Sequence, residues 1–191
     1  MKEYAIEYFP VDLSKLTAER VSDEKYKEMH QNSVIPCHDV YIRHTYNNKD
    51  GILLVQRKGK PAKDLFWPIG GKLLRGVPTL ESLNKKSLEE CNLQLEDIVE
   101  IDNSRQFWQT DPFGHGRGTD TTSTIYYAKG KGELKLNDLH AKPTIITPKE
   151  YQLYRNSFHK YVKEAMDIIF YQGVFETGIY KKGFAGSSLQ G

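Results

Sequence analysis

Two cysteines, Cys37 and Cys91, are too few for a disulfide framework, and both are expected as small core residues in a reducing compartment, the cytoplasm by default. No apolar run approaches the ~20 residues of a membrane-spanning helix. The N-terminus alternates charged and apolar residues, without the apolar core of a signal peptide. Charge of one sign is lacking as well. With 27 Lys and Arg against 25 Asp and Glu, the net charge of +2 creates no strong field for nucleic acid or a membrane surface. Repeats are absent. What remains is 191 residues, 38% apolar and 27% charged, a composition that fits one soluble globular domain with a sizeable core.

Local patterns divide the chain into three parts. Residues 1–36 form an extension with more aromatic and aliphatic content than a solvated arm needs, so it is expected to pack on the core or on a second subunit. Within it Leu13 to Met29 reads as one or two helices, with Ser22 as an N-cap before Asp23 and Glu24. The domain proper spans residues 37–171. Cys37 to Tyr46 and Ile52 to Gln56 are β-rich and flank the turn cluster Asn47-Asn48-Lys49-Asp50-Gly51, which predicts a hairpin. Residues 57–78 are a loop punctuated by Pro61, Pro68, Gly70, Gly71, Gly76 and Pro78. A helix follows from Thr79 to about Cys91, with Leu80, Leu83, Ser87 and Leu88 at helical spacing on its inner side. Strands are expected at about Val99–Trp108, Ser123–Lys129 and Glu133–Leu136. Thr147-Pro148-Lys149-Glu150 combines an N-cap, a proline at N1 and a glutamate at N3, and opens a helix expected to reach Tyr171. Residues 172–191 are glycine-rich and expected as a flexible tail. Alternating strands and helices around an early antiparallel hairpin predict an α/β protein with a mixed sheet.

The stretch from Trp67 to Leu93, WPIGGKLLRGVPTLESLNKKSLEECNL, carries the chemistry. A Pro-x-Gly-Gly turn permits close backbone approach. The basic residues Arg57, Lys58, Lys60, Lys63, Lys72 and Arg75 bracket that turn, and a patch there would attract a diphosphate. The helix that follows ends in adjacent carboxylates, Glu89 and Glu90, which could hold a hard divalent cation. These two glutamates lie roughly 100° apart around the axis, so both need not face one ligand. The alternative is an ordinary exposed helix, with Lys85–Glu89 and Lys86–Glu90 as i,i+4 pairs.

The spacing resembles the Nudix box, G-x5-E-x7-R-E-U-x-E-E-x-G-U, with U a bulky aliphatic residue. With the register starting at Gly71, the paired glutamates fall on Glu89 and Glu90 and the last aliphatic on Leu93. Val77, Lys85, Lys86, Ser87 and Asn92 depart from it. Lys86 stands where that family has a metal-binding glutamate. The GDP-mannose mannosyl hydrolase branch also lacks this glutamate, uses one Mg2+ and attacks the sugar carbon instead of phosphorus. The chain is similar to that branch from about Asp39 to His140, patchily beyond Leu95, in the strings CHDVYI, VQRKGKPAKDLFWPIGG, Trp108-Gln109 and Gly118-Thr119-Asp120.

The resemblance implies a Nudix-type α/β/α sandwich, a homodimer, and a hydrolase that releases sugar and nucleoside diphosphate by attack at sugar C1. It places Asp39 on substrate, Arg57 and Lys72 on the diphosphate, and His140 as general base. Mg2+, with Mn2+ as a substitute, would sit on Gly71 and Glu90 with Glu89 assisting. Trp108 could stack on a base or sugar, or be a core tryptophan. Arg117, in the glycine-rich loop Asp111–Asp120, could reach a phosphate, or the loop could be a plain hairpin connection. The branch's metal-binding glutamine is Leu139 here, and its loop tyrosine has no counterpart. Two other functions remain open. One is a catalytically impaired module that binds nucleotide sugars. The other is a pyrophosphatase acting on ADP-ribose or a nucleoside triphosphate.

Overall fold

In the computed structural model, which describes residues 12–16 and 21–180, the chain is a mixed sheet with helices on both faces. Helix α1 (Asp23–Asn32) precedes strands β1 (Ile35–Tyr46), β2 (Lys49–Arg57), β3 (Phe66–Trp67) and β4 (Ile69–Lys72). Helix α2 (Thr79–Cys91) leads to β5 (Gln94–Trp108), β6 (Thr119–Lys131) and β7 (His140–Ile146). Helices α3 (Pro148–Tyr154), α4 (Lys160–Tyr171) and α5 (Val174–Thr177) close the described chain. No described helix is long and apolar enough to cross a membrane.

The hairpin forms as expected. Asn47 and Asn48 both adopt positive φ (51° and 61°), the pair of left-handed conformations that a two-residue β-turn requires and that asparagine tolerates. From this turn β1 and β2 pair only as far as Ile42 and Leu53, then diverge. The segment 66–72, bent at Pro68, fills the opening: β3 pairs with β2, and β4 pairs with β1 from Cys37 to Val40. On its other edge β1 runs parallel to β6, and every other ladder is antiparallel. Two apolar layers result. Tyr41, Trp67, Ile125 and Tyr127 pack with Tyr161, Val162, Ala165 and Ile169 of α4, while Val40, Ile42, Leu53 and Ile69 pack against Leu83 and Cys91 of α2.

Several local expectations are corrected. The inner face of α2 is Ser82, Leu83, Ser87, Glu90 and Cys91, whereas Leu80 and Leu88 are exposed. Small hydroxyl side chains sit inward because they find partners. Ser82 Oγ hydrogen-bonds His38 Nε2 at 2.8 Å, and Ser87 Oγ donates to the Leu93 carbonyl at 2.7 Å. Glu133–Leu136 is not a strand. Its backbone turns toward the end of α2, with Lys135 N–H on the Cys91 carbonyl and Asn137 N–H on that of Glu90, and Leu134 and Leu136 serve packing instead of a ladder. The capping box at Thr147 is present, yet the helix breaks after Tyr154 and restarts at Lys160, where His159 Nδ1 accepts the Tyr161 N–H. Within residues 172–180, expected as loose tail, α5 buries Val174 and Phe175 because these two apolar side chains complete the α4 layer. The remainder of that tail and residues 1–11 and 17–20 lie outside the described residues. Ser22 caps α1, accepting from Lys25 N–H.

Candidate functional site

A cavity of about 430 Å³ opens where β1 and β2 part. Strand alternation sends Ile35, Cys37 and Asp39 to one face of β1, and all three line it. Gly70 and Gly71 of β4, Lys86 and Glu90 of α2, Arg57 at the end of β2 and Trp108 at the end of β5 complete the lower walls. Glycine is required at position 70, because a Cβ there would lie 2.3 Å from the His38 carbonyl and 2.5 Å from Asp39 Oδ1.

Glu90 is 4% exposed, and both its oxygens are engaged. Oε2 accepts from His140 Nε2 at 3.0 Å and from Gly70 N–H at 3.4 Å, while Oε1 lies 3.5 Å from Lys86 Nζ. His140 opens β7, opposite Arg57 of β2, and its buried Nδ1 has no partner among the described residues. Asn92, in place of the box glycine, takes the left-handed conformation that ends α2 (φ 60°), and its Nδ2 donates to the Glu133 carbonyl.

Asp39 accepts a 2.5 Å hydrogen bond from Tyr161 OH. Burial pushes the Asp39 carboxyl up to about 6, against the pull of Tyr161, Arg57 and Ser123. Burial, and then the neighbouring Asp39 charge, also hold Tyr161 far above the usual phenol range, so it stays a donor. Trp67 stacks on Tyr161 at 4.8 Å, and Trp108 stacks on His159 at 5.3 Å. Helix α1 and the 111–118 loop supply Tyr26, His30, Pro112 and Phe113 to the opposite wall, with Lys72 Nζ 3.9 Å from the Tyr26 ring centre.

The structure thus gathers Asp39, Arg57, Gly71, Lys72, Glu90 and Trp108 around one cavity. His140 touches Glu90 without reaching the cavity wall, and neither Glu89 nor Arg117 lines it. The Glu89 side chain is 63% exposed and 3.9 Å from Lys86, and Arg117 instead bonds Asn32 Oδ1 of α1. Lys85 pairs with Glu81, not Glu89. Sequence reasoning passed over Lys86, Tyr161 and Tyr26 as site residues. The basic position inside the box was a signal for Lys86. Tyr161 lay hidden in an apolar helical stripe.

The cavity does not suit a resident divalent ion. Among the described residues no three His, Cys, Asp or Glu side chains converge as metal ligands. A hard cation wants about six oxygens. Glu90 and the Gly71 carbonyl would provide two, so an ion there would depend on water and substrate oxygens for the rest, and an ammonium already faces Glu90. The glutamine position holds Leu139, which lines the cavity without a donor atom on its side chain. Four cations, Arg57, Lys60, Lys72 and Lys86, face two carboxylates, Asp39 and Glu90, a balance that favours an anion.

The architecture is the Nudix fold, a mixed sheet between helices with a Gly-Gly turn leading into the helix that bears Glu90. Solved structures share it. A MutT protein from Methanosarcina mazei Go1 is similar at 14% identity over 73% of this chain and 95% of its own, with a TM-score of 0.55. A bifunctional NMN adenylyltransferase/ADP ribose pyrophosphatase from Francisella tularensis, complexed with AMP and a Mn ion, has 18% identity and a TM-score of 0.55, covering 78% of this chain and 46% of that one. The dihydroneopterin triphosphate pyrophosphohydrolase of E. coli has 11% identity and a TM-score of 0.51, covering 72% and 95%. The chain spans less than half of the Francisella protein and 57% of a MutT/nudix family protein from Enterococcus faecalis. At these identities the likeness is one of fold. No protein-family model matches the sequence, and no curated protein does.

Proposed function

We propose that the chain is a hydrolase of a nucleoside diphosphate sugar, of the GDP-mannose kind, acting at the sugar C1. The observation that carries this reading is the Glu90 carboxylate on a cavity wall, held by Gly70 N–H and His140 while Arg57, Lys72 and Lys86 share that cavity. A water beside Glu90 would give up its proton to the carboxylate as its oxygen bonds to C1. The C1–O bond breaks, and its electron pair leaves with the diphosphate, whose charge Arg57, Lys72 and Lys86 offset. His140 acts as a positioning residue in this scheme. Asp39, fixed by Tyr161, would accept from a sugar hydroxyl, and the aromatic walls would hold an apolar ring face. Mg2+ would have to compete with the Lys86 ammonium for the Glu90 carboxylate.

Incubation with GDP-mannose and GDP-glucose, with and without Mg2+, should release free sugar and GDP. Release of sugar phosphate with GMP would refute attack at carbon and return the chain to pyrophosphatase chemistry on nucleotide compounds. A second reading, a nucleotide-sugar-binding module without turnover, is favoured by one observation: Lys86 and His140 both engage Glu90, leaving that carboxylate tied. Calorimetric binding with no product after prolonged incubation would select it.

A further inference from the structure

We infer that Lys86 does the work of a metal ion here, so that the pocket takes a diphosphate directly on its ammonium and needs no divalent cation. This rests on the reading of the pocket as a nucleoside diphosphate site. The position of Lys86 carries it. One helical turn before Glu90, its side chain is 21% exposed and its Nζ lies 3.5 Å from Glu90 Oε1 and 3.9 Å from Glu89 Oε2. Its stem lies beside Gly71, with Cε 3.7 Å from where a Cβ on that glycine would stand. The lysine therefore lies against both the turn and the glutamate, the two groups that a bridging cation would use, and it also lines the cavity.

The charge logic agrees. An ammonium has three N–H donors and no acceptor, so after one faces Glu90 the others suit phosphate oxygens. A divalent ion brought to the same carboxylate would meet the fixed positive charge at Lys86, with Arg57 and Lys72 on the same cavity. A diphosphate meets the opposite situation. The glycine turn keeps its use, because two residues without side chains let the anion approach both the backbone and the lysine.

The test is isothermal titration of the 191-residue chain with GDP in EDTA and in excess Mg2+, for wild type, Lys86→Met, Lys86→Arg and Lys86→Glu. Wild type should bind equally in both buffers, within about twofold. Lys86→Met should bind at least about tenfold more weakly in EDTA, the loss of one charge-assisted contact, and Lys86→Arg should recover most of it. Lys86→Glu, which gathers a second carboxylate by Glu90, should lose GDP in EDTA and regain it with Mg2+. Circular dichroism of each variant guards against unfolding, and the wild-type comparison needs no variant at all. GDP binding by wild type only with Mg2+ overturns the inference and leaves the pocket assignment standing. Full-affinity binding by folded Lys86→Met does the same. Absence of GDP binding in either buffer overturns the pocket assignment and the inference with it.

Discussion

Replacing Asp39 by asparagine should change how the stability of this protein depends on pH. The carboxyl is buried, so its charge is costly, and burial pushes it from the ordinary 3.8 up to about 6. Such a raised acid behaves opposite to a salt-bridged one. Between about pH 4 and 6 the folded chain holds a proton that the unfolded chain releases, so stability falls as pH rises through this window. Roughly two pKa units at 1.36 kcal/mol each amount to about 3 kcal/mol of stability present at the acid end and lost by pH 7. Asparagine keeps the shape, and its carbonyl can still accept from Tyr161 OH, but it has no proton to exchange. Urea unfolding of both proteins at intervals from pH 4 to 7 isolates this contribution as the wild-type-minus-variant difference. That difference should decline by about 3 kcal/mol with rising pH. A flat difference, or one rising with pH, would mean that Arg57, Tyr161 and Ser123 outweigh burial and that the site holds its carboxylate as a stable anion.

Three further outcomes follow from the site. Glu90→Gln preserves the Gly70 contact while removing the base, and turnover of GDP-mannose in a product assay should drop about 10²- to 10⁴-fold; Glu89→Gln, exposed and only 3.9 Å from Lys86, should cost less than about threefold. Gly70→Ala forces a methyl group against the His38 carbonyl and Asp39, and should lose about 1–3 kcal/mol or more in chemical denaturation, whereas Gly71→Ala, which meets only Lys86 Cε at 3.7 Å, should lose less. Desolvation pushes the thiol of Cys37, half-buried on the cavity wall, up to about 12, helped by the Asp39 charge, so iodoacetamide at pH 8 should label it about a thousandfold more slowly than a free cysteine, as followed by mass spectrometry; labelling at the free-thiol rate would mean that the thiol is not held protonated.

What the sequence disclosed and what it hid divide along the range of the interactions involved. The Asn47-Asn48 turn, the Ser22 cap, the Thr147–Glu150 box and the register from Gly71 to Glu90 are all set by neighbours within a few residues or by one helix, and each was legible. The pairing of Tyr161 with Asp39 spans 122 residues and leaves no local period to read. Apolar spacing read α2 only in part: Leu83 and Ser87 lie inside as expected, but Leu80 and Leu88 are exposed and Ser82 takes the inside through His38, a partner that only the folded sheet provides. That His140 begins a strand leaves no local signal either, because the ladder that makes it so lies in β2. Which way Lys86 turns was equally undetermined, since both Glu89 and Glu90 lie within one turn of it.

The parting of β1 from β2 has a consequence for how this protein could change its ligand. The diverging strands and β4 are held by ladders, and Asp39 and Glu90 are buried at the end of the cavity those ladders frame. The facing wall has another origin: α1 and the 111–118 loop meet there through Tyr26, His30, Phe113 and His115, joined by ring contacts and a 2.8 Å bond between the two histidines. Substitutions in that wall touch none of the β1–β4 or β2–β3 ladders. The two ends of the pocket thereby rest on different parts of the fold, so residues of the α1 and 111–118 wall can be exchanged without touching the strands that hold Asp39 and the turn at Glu90.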